Sequence, residues 1–153
     1  MCSKKKSRTA TVAIVFAMVA VSVWIMIPYL RGLRNLGYVD SAIGTLRTLV
    51  AEESRFAEAH HDLGYTCAIS DLDSSDLDSN RMLKALAKSG QRNGYAFELI
   101  CSVGNTTGAR RAFQVTARPL HADMPAYCTD QSGVVRADYG GSPSKCLLSG
   151  TPL

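Results

Sequence analysis

Three regimes of hydrophobic and polar positions follow one another along the chain. The first is uniform: from position 9 to position 30 there are 22 residues without a charged side chain. A helix rising about 1.5 Å per residue covers the roughly 30 Å hydrocarbon core of a bilayer over that length, so the run is expected to cross a membrane. The second regime has helical spacing. Leu36, Val39, Ile43, Leu46 and Val50 recur three and four apart and lay one apolar stripe along a helix that is expected to run to about His60. Arg47, Glu52, Glu53, Arg55 and Glu58 fall largely off that stripe, which predicts a solvated opposite face. Pro28 removes one backbone donor and is expected to kink the helix rather than end it, and Gly32 with Gly37 predicts a bend or softened turn.

After Gly64 comes a polar stretch, then a short helix expected over 81–89, with Asp78 or Ser79 as cap, Met82, Leu83 and Leu86 as its apolar side, and Gly90 as its stop. The third regime has a period of two. Tyr95, Phe97, Leu99 and Cys101 alternate with Ala96, Glu98, Ile100 and Ser102; a turn is expected at 104–108 and a returning strand at 112–118, ended by Pro119. A second hairpin is expected from 127–129 and 134–138 around Asp130-Gln131-Ser132-Gly133. The Gly-, Ser- and Pro-rich tail from Tyr139 would be loose unless Cys146 ties it back. About four antiparallel strands of this size must cover an apolar face, and the helix carries the only long stripe. The expected fold is therefore α+β, with a long N-terminal helix packed by its outer half on a small sheet. Its expected parts are a basic tail at 1–8, a transmembrane segment at 9–30 and a head at 31–153.

Charge gives this arrangement a direction. Lys4, Lys5, Lys6 and Arg8 precede the apolar run, and cationic flanks stay on the cytoplasmic side, so the head is expected outside the cytoplasm. Those four account for the net charge of +4 and leave the rest of the chain neutral, with no basic stripe for nucleic acid. Ala20-Val21-Ser22 offers small residues for signal-peptide cleavage, but Trp24-Ile25-Met26-Ile27 keeps the run apolar where a cleavage region turns polar. Cys2 precedes the run, so it is not placed as a lipoprotein cysteine and is expected to be a reduced cytoplasmic thiol.

Cys67, Cys101, Cys128 and Cys146 all follow the run, in the compartment where disulfides persist. Four cysteines allow three pairings. Cys67 with Cys101 and Cys128 with Cys146 is favoured, because each bridge closes a local loop. No C-x-x-C spacing supports zinc. Asp71, Asp73, Asp76 and Asp78 form an acidic loop that offers weak calcium ligands, yet Asp76 and Met82 stand where the EF-hand pattern needs glycine and glutamate. His60-His61-Asp62 lacks a third ligand, and Arg110-Arg111 reads as a solubilising hairpin tip. Neither a nucleophile elbow nor a phosphate loop is present, so no catalytic residue, enzyme activity or cofactor is expected.

Several strings resemble type IV pilins and pseudopilins. They are Ile27-Pro28-Tyr29-Leu30, Ser41-Ala42-Ile43-Gly44-Thr45-Leu46-Arg47-Thr48-Leu49 continuing through Ala51-Glu52-Glu53 to Tyr65, Gly94-Tyr95-Ala96-Phe97, and Tyr127-Cys128-Thr129-Asp130-Gln131-Ser132-Gly133-Val134-Val135-Arg136. The resemblance implies a pilin-like fold and a role in assembly, as a minor or atypical subunit or accessory of a type IV pilus or type II secretion pseudopilus. The implied partners are other pilin-like subunits or assembly proteins in a bacterial inner membrane, with a periplasmic head or a cell-surface filament. The early part departs from the family. Aligned on Pro28, Lys6 stands in place of the glycine before the processing point, Ser7 in place of the aromatic first residue, and Thr11 in place of the helix glutamate. A carboxylate in hydrocarbon costs several kcal/mol unless paired, so loss of the processing signal and of the glutamate are consistent with each other. The alternative expectation is a free-standing, membrane-anchored module that binds an extracytoplasmic ligand.

Overall fold

The computed structural model describes residues 4–66, 68–74, 76–103 and 110–153. The fold is α+β: a long helix followed by a six-stranded antiparallel sheet. The chain divides into two compact units, Met1–Gly37 and Tyr38–Leu153, and the first helix, α1 (Lys4–Ala59), contributes to both. The helix runs on past Pro28, Gly32 and Gly37 without ending at any of them. A single missing donor is tolerated inside so long a helix. The described residues of the first unit are all helical. Its Ser22 hydroxyl donates to the Met18 carbonyl one turn back at 2.9 Å, so the hydroxyl is satisfied without water.

In the second unit, α1 buries Ala42, Leu46 and Leu49 completely, with Tyr38, Val39, Ile43, Val50 and Phe56 half-buried beside them. The predicted stripe is thus rotated and shifted: Leu46 lies at its centre, Val39, Ile43 and Val50 lie on its margin, and Leu36 is 63% exposed and outside it. The sequence also misplaces two acids, because Glu52 and Glu53 are buried. Glu53 Oε2 accepts the Thr66 backbone N–H at 2.9 Å, which fastens the chain after α1 back onto the helix. The helix ends where His60 N–H donates to Phe56 O and Gly64 turns with a φ of 72°.

A one-turn 3₁₀ segment, Ile69–Asp71, leads to α2 (Leu77–Ser89). Its cap is Asp76, two or three residues earlier than expected, with the side chain accepting the Ser79 N–H at 2.7 Å. Gly90 closes the helix in the left-handed conformation (φ 65°), and Met82, Leu83 and Leu86 enter the core. The sheet is a meander whose spatial order is its sequence order: β1 (Gln91–Arg92), β2 (Tyr95–Val103), β3 (Arg110–Pro119), β4 (Ala126–Asp130), β5 (Arg136–Asp138) and β6 (Thr151–Pro152). Opposed pairs Phe97↔Ala117, Leu99↔Val115 and Cys101↔Phe113 set the inner face, as the period-two pattern predicts. The expected turn at 104–108 lies outside the described residues. Four strands become six because β1 and β6 are two-residue edges, too short to carry a period.

The tail is not loose. α3 (Pro143–Ser149) starts at the Ser142 cap with Pro143 at its head. Cys128 on β4 and Cys146 on α3 form a disulfide with Cα atoms 5.9 Å apart. β4 is therefore buried on both faces, by the core and by α3.

Candidate functional site

Three features stand out on the two units. The first is the surface of the first unit. Val15, Phe16, Met18, Val19, Val21, Val23, and on through Leu30, are all exposed, Phe16 by 72% and Trp24 by 82%. Pro28 lies on this surface too. So much contiguous apolar area on a monomer marks a membrane or protein interaction. The helix from Val15 is long and apolar enough to span a bilayer, and none of its most apolar window is covered by the protein itself.

The second feature is the β4–β5 connection. Asp130 accepts the Ser132 N–H at 2.8 Å and the Arg136 guanidinium at 3.2 Å, and Gly133 turns with a φ of 74°. Hydrogen bonding from Ser132 and the Arg136 cation hold the Asp130 carboxyl below the usual carboxylate range, against the opposing effect of desolvation. On the inner face, Tyr95 donates its hydroxyl to the Pro125 carbonyl at 3.1 Å, and burial pushes both the Tyr95 and Tyr127 phenols up.

The third feature is a groove of about 310 Å³ on the second unit. Arg47, Glu52 and Arg55 line it from α1, while Ser74, Asp76 and Ser79 line it from the α2 start. Glu52 Oε1 accepts from Arg55 Nη1 at 2.7 Å. Glu52 Oε2 is buried without a hydrogen-bond partner among the described residues.

No protein-family model, curated protein or solved structure matches the chain.

The acidic loop is occupied by local hydrogen bonds. Asp71 accepts from the Thr66 and Ser70 hydroxyls, Asp73 from the Asn80 amide, Asp76 from Ser79, and Asp78 pairs with Arg81 at 3.4 Å. The Ser79 N–H holds the Asp76 carboxyl below its ordinary range. Among the described residues, no three His, Cys, Asp or Glu side chains converge as metal ligands. His60 Nδ1 lies 3.0 Å from the Phe56 carbonyl and its ring stacks on Phe56. The Cys67 half of a Cys67–Cys101 bridge lies outside the described residues, while Cys101 Sγ lies 2.7 Å from the carbonyl oxygen of Thr66. Sequence reading missed the Glu52 groove, since a charge off the apolar stripe was read as solvated. A signal was available in Glu52-Glu53, whose adjacent positions make it difficult for both to avoid a buried face as wide as this one.

Proposed function

We propose that the protein is a pilin-like, single-pass membrane protein that works by assembling with other proteins, as a minor or atypical subunit or accessory of a type IV pilus or type II secretion pseudopilus. The observation that carries this reading is the exposed apolar surface of α1 from Val15 to Leu30 in a chain whose α+β head is a helix on an antiparallel meander. The apolar run needs lipid or neighbouring helices, and the head needs neither to fold its core. The basic side chains before the run favour a cytoplasmic N-terminus and a periplasmic head. Lys6, Ser7 and Thr11 support entry by a route other than cleavage and pairing with a helix glutamate.

The test is fractionation of the source cells with mass analysis of the N-terminus. A subunit is recovered in sheared surface filaments; an accessory stays in the membrane beside pilin or platform proteins, with its basic tail intact. Recovery as a soluble protein without such partners would sink both forms.

A further inference from the structure

Pro28 leaves an acceptor open inside the apolar run. Proline has no N–H, so the carbonyl of Trp24, four residues earlier on α1, loses its α-helical donor. With residues 9–30 in the hydrocarbon core, Trp24 lies about 9 Å inside the outer boundary, where bulk water does not replace the missing bond. Trp24, Ile25, Ile27 and Pro28 line a notch of about 620 Å³ at this place.

The same run carries a donor that can change partners. The Ser22 hydroxyl donates to the Met18 carbonyl at 2.9 Å. In the helix that carbonyl also accepts the backbone N–H of Ser22, so the hydroxyl is a second donor there. Turning the hydroxyl to a Trp24 carbonyl leaves Met18 bonded and supplies the partner that Pro28 removes. Within one helix this exchange is out of reach. At 3.6 residues per turn, Ser22 points about 140° away from the face centred between Trp24 and Pro28. Donor and open acceptor therefore lie on different sides of α1, and a second molecule is needed to join them. A second copy suits the notch in shape as well. Serine is small, which lets two backbones approach closely enough for a hydroxyl to reach a carbonyl. Met18 and Met26, one turn to either side of Ser22, are exposed, and flexible thioethers fill irregular gaps.

We propose that α1 binds a second copy of this chain inside the membrane, the Ser22 hydroxyl of one copy donating to the Trp24 carbonyl in the Pro28 notch of the next. Neighbours are offset by about one helical turn, ~5 Å, to bring the two groups level. The contact joins unlike faces, so each pair keeps one free Ser22 face and one free notch, and further copies can add. The inference rests on the membrane reading of α1 and deepens the assembly reading by naming the partner.

The test is sedimentation equilibrium of the full chain in density-matched detergent at several protein-to-detergent ratios. The parent protein is expected to pass beyond the dimer as the ratio rises. Ser22→Ala removes the donor, and Pro28→Ala restores the N–H that closes the Trp24 carbonyl within its own helix. Each is expected to weaken association by roughly three- to tenfold, the worth of one hydrogen bond between membrane helices. The double variant is expected to be no weaker than either single variant, because both remove the same bond. Ser22→Thr keeps a hydroxyl and is expected to associate as the parent does. Circular dichroism equal to that of the parent verifies the fold of each variant. Parent-like association of Ser22→Ala, additive losses in the double variant or a species that stops at the dimer overturns the proposal. A micelle-bound monomer at every ratio overturns it and leaves the membrane reading standing, whereas a chain soluble without detergent overturns both.

Discussion

Leu46 and Leu49 are fully enclosed between α1 and the sheet, and Leu36, ten positions before Leu46 on the same helix, is open. Truncating an enclosed leucine removes its transfer free energy and leaves a cavity, so Leu46→Ala is expected to cost about 2–5 kcal/mol in denaturant unfolding. Leu36→Ala should stay within about 0.5 kcal/mol of the parent protein in the same measurement. Asp130 gives a second residue-scale expectation. Its folded carboxyl titrates below its ordinary value near 4, so its contribution is full above that value and is lost as pH falls through the lowered one. Asp130→Asn should flatten the acid limb of the stability profile, measured as unfolding midpoints across a pH series. The central leucine was legible in the sequence because it recurs at helical spacing. Glu53 was not, because its burial depends on the Thr66 N–H, which the fold brings to it from 13 residues away.

Among the elements, those with a repeating pattern were readable and those defined by a few residues were not. β2 and β3 follow from the alternation read over 95–102 and the returning strand over 112–118, although β3 starts earlier, at Arg110, where the sequence suggested a hairpin tip. α3 has seven residues and one buried side chain, so no period announces it. Only Ser142-Pro143 at its start and Gly150 beyond its end mark it. What holds α3 is the Cys128–Cys146 bridge, which joins positions 18 apart. On the loop-entropy account such a closure is worth about 3 kcal/mol. The double variant Cys128→Ser, Cys146→Ser is expected to lose about that much in denaturant unfolding. Hydrogen exchange should quicken first at β5, α3 and β6, while β2 and β3 keep their protection; uniform loss across the sheet would contradict this role for the bridge.

For the molecule as a whole, the two units obey different solvents. The unit Tyr38–Leu153 has a buried apolar core, with single apolar side chains such as Leu77 and Leu148 left outside it, and the unit Met1–Gly37 shows all its apolar side chains among the described ones. Placing Lys at both Val19 and Val23 sets two charges in the middle of the apolar run, each costing about 3 kcal/mol at a bilayer centre. The parent protein should resist alkaline extraction from membranes, and that variant should be released. The apolar run and the α+β class were legible because both rest on long patterns, whereas the groove at Glu52 exists only once α1 and α2 lie side by side. The meander has a further consequence for manufacture. Because each strand's neighbours in space are its neighbours in sequence, every strand can be added against one already laid down as the chain emerges. The helix precedes every strand in the chain, each strand from β2 onward follows the one it pairs with, and the Cys128–Cys146 bridge can close only after α3 has been made.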